Sequence, residues 1–268
     1  MSLAALLLPA FVGHASAAEI TPEHGKVNTG DATPVGAGVL EVEFGYAPSW
    51  ARRRGWGSFD ESAPAYEHGF GLSLTWGPIE ALDLGIETGY ALIHDESDPE
   101  ATDGHGHGDG AVGARWRFLS APSIDLAVTT GATLPTGADG SPRRLAVSQG
   151  YFSWDSALVA SWDAGRATGN VEVGFSLPLG SDREGARGVM VGNLAFGYHV
   201  LEWLQPEVEL NYEHELAVGA EADLLASTLG VVVPWGAGNR VTAGVQQALW
   251  GQNTAAFTAA SLAYKAAF

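Results

Sequence analysis

The stretch LQPEVELNYEH, residues 204–214, decides the fold. Leu204, Pro206, Val208, Leu210, Tyr212 and His214 alternate with Gln205, Glu207, Glu209, Asn211 and Glu213. Successive side chains of a strand point to opposite faces, so a period of two reads as one strand lying between two different solvents. One face carries three carboxylates, which a dry core accepts only when each is paired. The other face suits hydrocarbon.

The same alternation recurs along the chain. Tyr66, His68, Phe70, Leu72, Leu74 and Trp76 interleave with Glu67, Gly69, Gly71, Ser73 and Thr75, and Leu82, Leu84, Ile86, Thr88, Tyr90 and Leu92 with Asp83, Gly85, Glu87, Gly89 and Ala91. The pattern predicts twelve strands, at 38–48, 66–76, 81–93, 110–119, 123–134, 151–162, 167–178, 188–200, 203–216, 221–233, 239–249 and 255–268. Most are longer than the 5–6 residues usual in a soluble sheet and match the ~9–11 that cross a bilayer at a tilt. Long connections near 49–65, 94–109, 135–150 and 179–187 alternate with tight ones at 77–80, 120–122, 163–166 and 201–202. Long loops at one end and short turns at the other build an all-β, antiparallel, up-and-down transmembrane barrel.

Composition agrees. The 268 residues are 46% apolar and 16% charged, with 36 Gly and no Cys, which excludes a disulfide framework and thiolate metal sites. With 31 acidic and 13 basic residues the net charge is −18, so nucleic acid is not an expected partner. A secreted sandwich would also alternate, but its solvent face should carry many lysines, and this chain has only Lys26 and Lys265. Trp50, Trp76, Trp162, Trp203, Trp235 and Trp250 fall near strand ends, as interfacial girdles do. Residues 1–17 read as a signal peptide, with the apolar core LAALLLPAFV before Ala15-Ser16-Ala17. The expected organisation is then a periplasmic lead or plug at 18–37 and the barrel at 38–268, in a bacterial outer membrane with both termini periplasmic. Expected partners are membrane lipid and lipopolysaccharide, small-molecule solutes, and the barrel-assembly machinery, which would read the terminal Phe268.

Three places resemble a known family of outer-membrane channels, the one named for the meta-pathway of phenol degradation. ITPEHGKVNTGDATPVGAGVLEVEFGY (20–46) is similar to that family's plug-like lead into a first strand, GDGAVGARWRFL (108–119) to its fourth strand, and TGATLPTG (130–137) to a strand end before an extracellular loop. The lead lacks the family's frequent Arg-Pro-Asp. The resemblance implies passive transport of small, often aromatic or hydrophobic molecules, with no catalytic residues and no cofactor.

Parity places Glu41, Glu43, Asp83, Glu87, Arg115, Arg117, Asp125, Asp155, Glu172, Gln205, Glu207, Glu209, Asn211, Glu213 and Arg240 inside. Two arrangements fit. Glu207, Glu209 and Glu213 face Arg115 and Arg117 across a constriction, with Asp83, Glu87 and Arg240 also lining the path, or the charges form a satisfied network that fills a narrow barrel. The excess of carboxylates favours cations or neutral solutes. Pro206 removes a ladder donor and could mark an opening in the wall, or simply sit at a tolerated strand start.

Two features point elsewhere. The 94–110 segment HDESDPEATDGHGHGDG puts His105 and His107 on one side of an extended chain, where with Asp103 or Asp109 they could hold a divalent cation. A Gly-rich acidic loop also reads as a solvated extracellular tether, since ordering it costs about 1–2 kcal/mol per residue. Such a loop would suit an adhesin-like barrel. Second, His214, Asp223 and Ser227 could form a relay on the outer wall, as in a lipid hydrolase, if the register brings them together. The expectation is that the chain is not an enzyme.

Overall fold

The structure is a computed structural model that describes residues 26–52, 58–60, 65–97, 100–181, 183, 185–219, 221–235 and 238–268. The expected signal peptide lies outside the described residues. The elements are β1 (Leu40–Arg52), β2 (Ser58–Asp60), β3 (Ala65–Ile79), β4 (Leu82–Asp95), β5 (Asp103–His107), β6 (Gly110–Ala121), β7 (Ile124–Leu134), β8 (Phe152–Ala164), β9 (Ala167–Leu179), β10 (Ala186–Tyr198), β11 (Gln205–Ala217), β12 (Ala222–Trp235) and β13 (Asn239–Ala267). Eleven of these pair antiparallel, in chain order, into a ring that closes when β13 returns to β1; β2 and β5 lie outside the ring order. No helix among the described residues is long and apolar enough to cross a membrane.

The ring is nevertheless crossed twelve times. β13 is 29 residues long and consists of two arms: 239–252 pairs antiparallel with β12, while 256–267 pairs antiparallel with β1. The chain must reverse between them, and Asn253 sits there with φ 55°, a left-handed conformation that Asn tolerates better than most residues. The start of β1 and the residue after β13 complete the closure, with Leu40 N donating to Phe268 O and Phe268 N to Leu40 O. A barrel closed in this way leaves no open sheet edge, as a membrane requires.

The two faces follow the predicted parity. Leu229, Val173 and Leu194 are 67%, 58% and 50% exposed on the outside, and the outer wall carries Trp50, Trp76, Trp116, Trp154, Trp203 and Trp250. Inside, Glu41, Glu43, Asp83, Arg115, Gln205, Glu207, Glu209 and Arg240 are buried. The outer surface is therefore apolar and the lumen polar, the inverse of a soluble protein.

The 94–109 connection differs from the expected free tether. Residues 103–107 form β5 against the far end of β4, pairing Tyr90 with His107, Leu92 with His105 and His94 with Asp103. β4 extends beyond its pairing with β6, so its exposed backbone needs partners, and the glycines of the segment let the chain supply them. Pro206 opens no gap either: the β11–β12 register runs unbroken from Gln205–Val232 to Glu215–Ala222.

Replacing Leu194, midway along the outer face of β10, by Arg should destabilise the folded barrel in lipid by about 2–4 kcal/mol, as a charge at the bilayer midplane does. Denaturant titration of the reconstituted protein measures it.

Candidate functional site: the barrel lumen

The chain segment before β1 runs through the lumen. Residues 26–38 lie along the inner wall on the side of the short turns, and the wall's side chains satisfy their backbone. Val35 N donates to Asp83 Oδ1 at 3.0 Å, Ala32 N to Ser161 Oγ at 2.9 Å and Gly30 N to Glu172 Oε2 at 2.9 Å. Glu209, 1% exposed, takes Val27 N at 2.8 Å, Asn28 N at 3.1 Å and Thr29 Oγ1 at 2.9 Å. Glu207 accepts Val27 N at 2.9 Å, Asn28 Nδ2 donates to Thr228 Oγ1 at 2.7 Å, and Asn170 Nδ2 returns a bond to Gly30 O at 3.0 Å. The segment thus passes from β4 around the wall to β12. It has no strand partner of its own, so side chains do what a ladder would.

Packing is cut to fit. Ala32, fully buried, rests on Ala127 and Val159. Val27 lies so close to the wall that a Cβ on Gly230 would stand 2.7 Å from its Cγ2. Only glycine admits that approach.

The cations are already engaged. Arg115 forms a buried ion pair with Asp83 and donates through Nη1 to Asp31 O at 2.8 Å. Arg117 pairs with Asp125 at 3.2 Å, and Lys265 with Glu43 at 3.0 Å and Glu41 at 3.6 Å. The expected constriction of Glu207, Glu209 and Glu213 facing Arg115 and Arg117 is therefore not assembled: two of the carboxylates hold backbone amides and both arginines hold aspartates. Glu213 faces the lumen nearer the long loops, opposite Leu224, and Glu87 lies in the register row of Glu43, two strands away through Ser73. Asp83 anchors both Arg115 and Val35, a double role parity alone did not reveal. Ser161, Thr168, Asn170, Glu172 and Thr228 escaped the sequence reading as plug contacts, because their partners lie more than a hundred residues away in the chain.

Between the segment and the wall formed by β1 and β13 lies a small cavity of about 10 Å³, lined by Lys26, Val27, Glu43, Arg240, Thr242, Ser261 and Lys265. Arg240, expected to line the path, borders this cavity.

The four residues expected to bind metal are not brought together. Asp103 Oδ1 is 2.8 Å from His94 Nδ1, and that hydrogen bond holds the exposed Asp103 carboxyl below its usual range. His105 and His107 share the outer face of β5 with Asp103. Asp109 serves the lid-like 135–150 loop instead, accepting Gly137 N at 2.8 Å, Ser148 Oγ at 2.7 Å and Gln149 N at 2.8 Å. Burial, with nearby carboxylates, pushes the hydroxyl of Tyr151, just after that loop, up. Among the described residues no three His, Cys, Asp or Glu side chains are grouped to hold a metal ion. The outer-wall relay is incomplete as well: His214 Nδ1 is 2.9 Å from Asp223 Oδ1, but Ser227 pairs with Leu210, four residues along β12, which puts it roughly 13 Å away.

No family model matches the chain, and no curated protein matches it. Solved structures do, and they share the barrel. A crystal structure of an outer membrane channel from Pseudomonas putida F1 superposes with a TM-score of 0.77 at 15% identity, covering 91% of this chain and 100% of that one. The translocator domain of the autotransporter NalP from Neisseria meningitidis gives 0.51 at 12% identity, covering 85% and 88%. The β domain of the Bordetella autotransporter Brka gives 0.51 at 16%, covering 87% and 100%. The fold is that of an outer-membrane β-barrel.

Two substitutions test this geometry. Asp83→Leu strands Arg115 in the wall and should cost about 3–5 kcal/mol, the usual effect of removing one partner of a buried pair, read as a lower denaturant midpoint. Asp109→Ala should leave the barrel's melting unchanged while speeding hydrogen exchange at the Gly137 and Gln149 amides by at least tenfold.

Proposed function

We propose that the chain is a passive outer-membrane channel for small solutes, held nearly closed by its own residues 26–38. One observation carries the reading: the segment is threaded through the lumen and held there by hydrogen bonds to the wall, with a small polar cavity beside it at β1 and β13. A barrel that serves only as structure has no need of a segment lodged in its lumen. The charges around the cavity nearly cancel, since Lys265 is held by Glu41 and Glu43 while Glu207 lies near Lys26 and Arg240. A near-neutral cavity admits small uncharged molecules most readily, which narrows the sequence expectation of cations or neutral solutes. The resemblance to the phenol meta-pathway family and the superposition on the Pseudomonas putida channel support the same reading.

In this reading the turn end of the barrel faces the periplasm and the loop end faces outward among lipopolysaccharide, with both chain ends periplasmic. The strand closing the ring ends on Phe268, 76% exposed and available to an assembly machinery. No catalytic group and no cofactor take part.

Deleting residues 26–37 should raise single-channel conductance in a planar bilayer several-fold, and Ser261→Trp in the full chain should lower it. Equal conductance for the deletion and the full chain, both shown to be folded by heat-modifiable gel migration, would count against the plug and the cavity together.

A further inference from the structure

β5 is held along both edges. On one side it pairs with β4, from Tyr90–His107 to His94–Asp103. On the other the 135–150 loop docks against it, with Ala138 N donating to His107 O at 2.8 Å and Leu145 N to Asp103 O at 2.9 Å. The glycines between its polar residues serve this packing rather than freedom of movement. A Cβ on Gly104 would stand 2.6 Å from Leu145 O, and one on Gly106, where φ is +151°, would stand 2.4 Å from Ala138 Cβ. Ordering a free Gly-rich segment costs about 1–2 kcal/mol per residue, and here the fold has already done it before any ligand arrives.

What the ordered strand displays is a pair of imidazoles. His105 and His107 are two residues apart, exposed on the outer face opposite Leu92 and Tyr90. Same-face neighbours on a strand have Cα atoms about 6.6–6.8 Å apart, two residues of rise. Two imidazoles leaning toward each other across that span can each place a nitrogen about 2.0–2.1 Å from one ion. Neither ring has a hydrogen bond among the described residues, and His107 meets only the Tyr90 ring, at a centroid distance of 6.0 Å and 90°. The acids beside them are occupied. Asp103 Oδ1 is 2.8 Å from His94 Nδ1 and its Oδ2 accepts Thr102 Oγ1 at 3.0 Å, while Asp109 holds the loop amides of Gly137 and Gln149. The face therefore offers a cation two nitrogens and room for water, without a carboxylate.

We propose that His105 and His107 form a two-imidazole chelate, on the outside of the barrel at its loop end, for a divalent transition-metal ion of the Zn²⁺, Ni²⁺ or Cu²⁺ class, with water completing the coordination. Imidazole nitrogen suits these ions, whereas Mg²⁺ and Ca²⁺ take oxygen. An ion caught by the first ring meets the second at high effective concentration, so the pair binds far more tightly than either ring alone. The site needs no conduction and stands or falls apart from the channel reading.

Isothermal titration of the untagged, full-length chain in detergent tests this, with Zn²⁺ and Mg²⁺ as separate probes. Zn²⁺ is expected to bind and Mg²⁺ not to compete with it. His105→Gln and His107→Gln should each weaken Zn²⁺ at least tenfold, with heat-modifiable gel migration unchanged because both side chains are exposed. His68→Gln, elsewhere on the outer wall, should leave binding as it is. Gly106→Ala keeps both imidazoles but sets a methyl group against Ala138, and should weaken Zn²⁺ severalfold. A capped peptide of residues 102–110 should bind at least tenfold more weakly than the folded chain, since it must be ordered first. No binding at millimolar Zn²⁺, or binding that survives both Gln substitutions together, overturns the proposal. So does equal affinity in the free peptide, which would make the segment a tether after all, or displacement of Zn²⁺ by equimolar Mg²⁺, which would make the ligands oxygen.

Discussion

A carboxylate inside a narrow barrel must find donors, and Glu209 finds three of them on the chain's own N-terminal segment. Much of the lumen's arrangement depends on that exchange. The segment has unpaired backbone amides; the wall has acceptors it cannot afford to leave bare. Each solves the other's problem, and the cost of burying both is met by bonds to charged groups, which are stronger than neutral ones. Glu207, Glu172 and Asp83 repeat the device at successive points around the ring.

The exchange also divides the lumen. On the turn side, acids meet backbone amides or arginine and lysine, and the space beside the segment narrows to a small cavity. On the loop side, among the described residues, Glu67 and Glu213 face inward without a cation, and β12 and β13 contribute a buried apolar cluster covered by Phe59. At the mouth, Asp109 performs a different task, tying the 135–150 loop to the end of β5. Acidic residues that look alike in composition thus act as plug anchor in one place and loop clasp in another.

Alternation made the strands legible because a barrel wall has a different solvent on each side along its whole length, so each residue's polarity reports its face. The predicted strand 167–178 became β9, Ala167–Leu179, and 123–134 became β7, Ile124–Leu134. The same logic failed in the 94–109 segment, where Asp and His alternate with glycine rather than with apolar side chains, and β5 went unseen. It failed differently for the relay: His214 and Asp223 met as parity allowed, but Ser227 did not, since a shared face says nothing of distance along a strand. The supposed constriction failed for a third reason. Parity gave the inward set correctly, but not which member of the set meets which.

By itself, then, the sequence determined the class of fold, the crossings of the wall and the face each side chain takes, all of which follow from local periodicity and the two solvents. Only the tertiary structure decided that residues 26–38 lie within the lumen, that Glu207 and Glu209 hold their amides, and that Asp83 serves Arg115 and Val35 together. Those pairings join residues as much as 200 positions apart. No local pattern records them, because closing the barrel is what brings the distant strands around one segment.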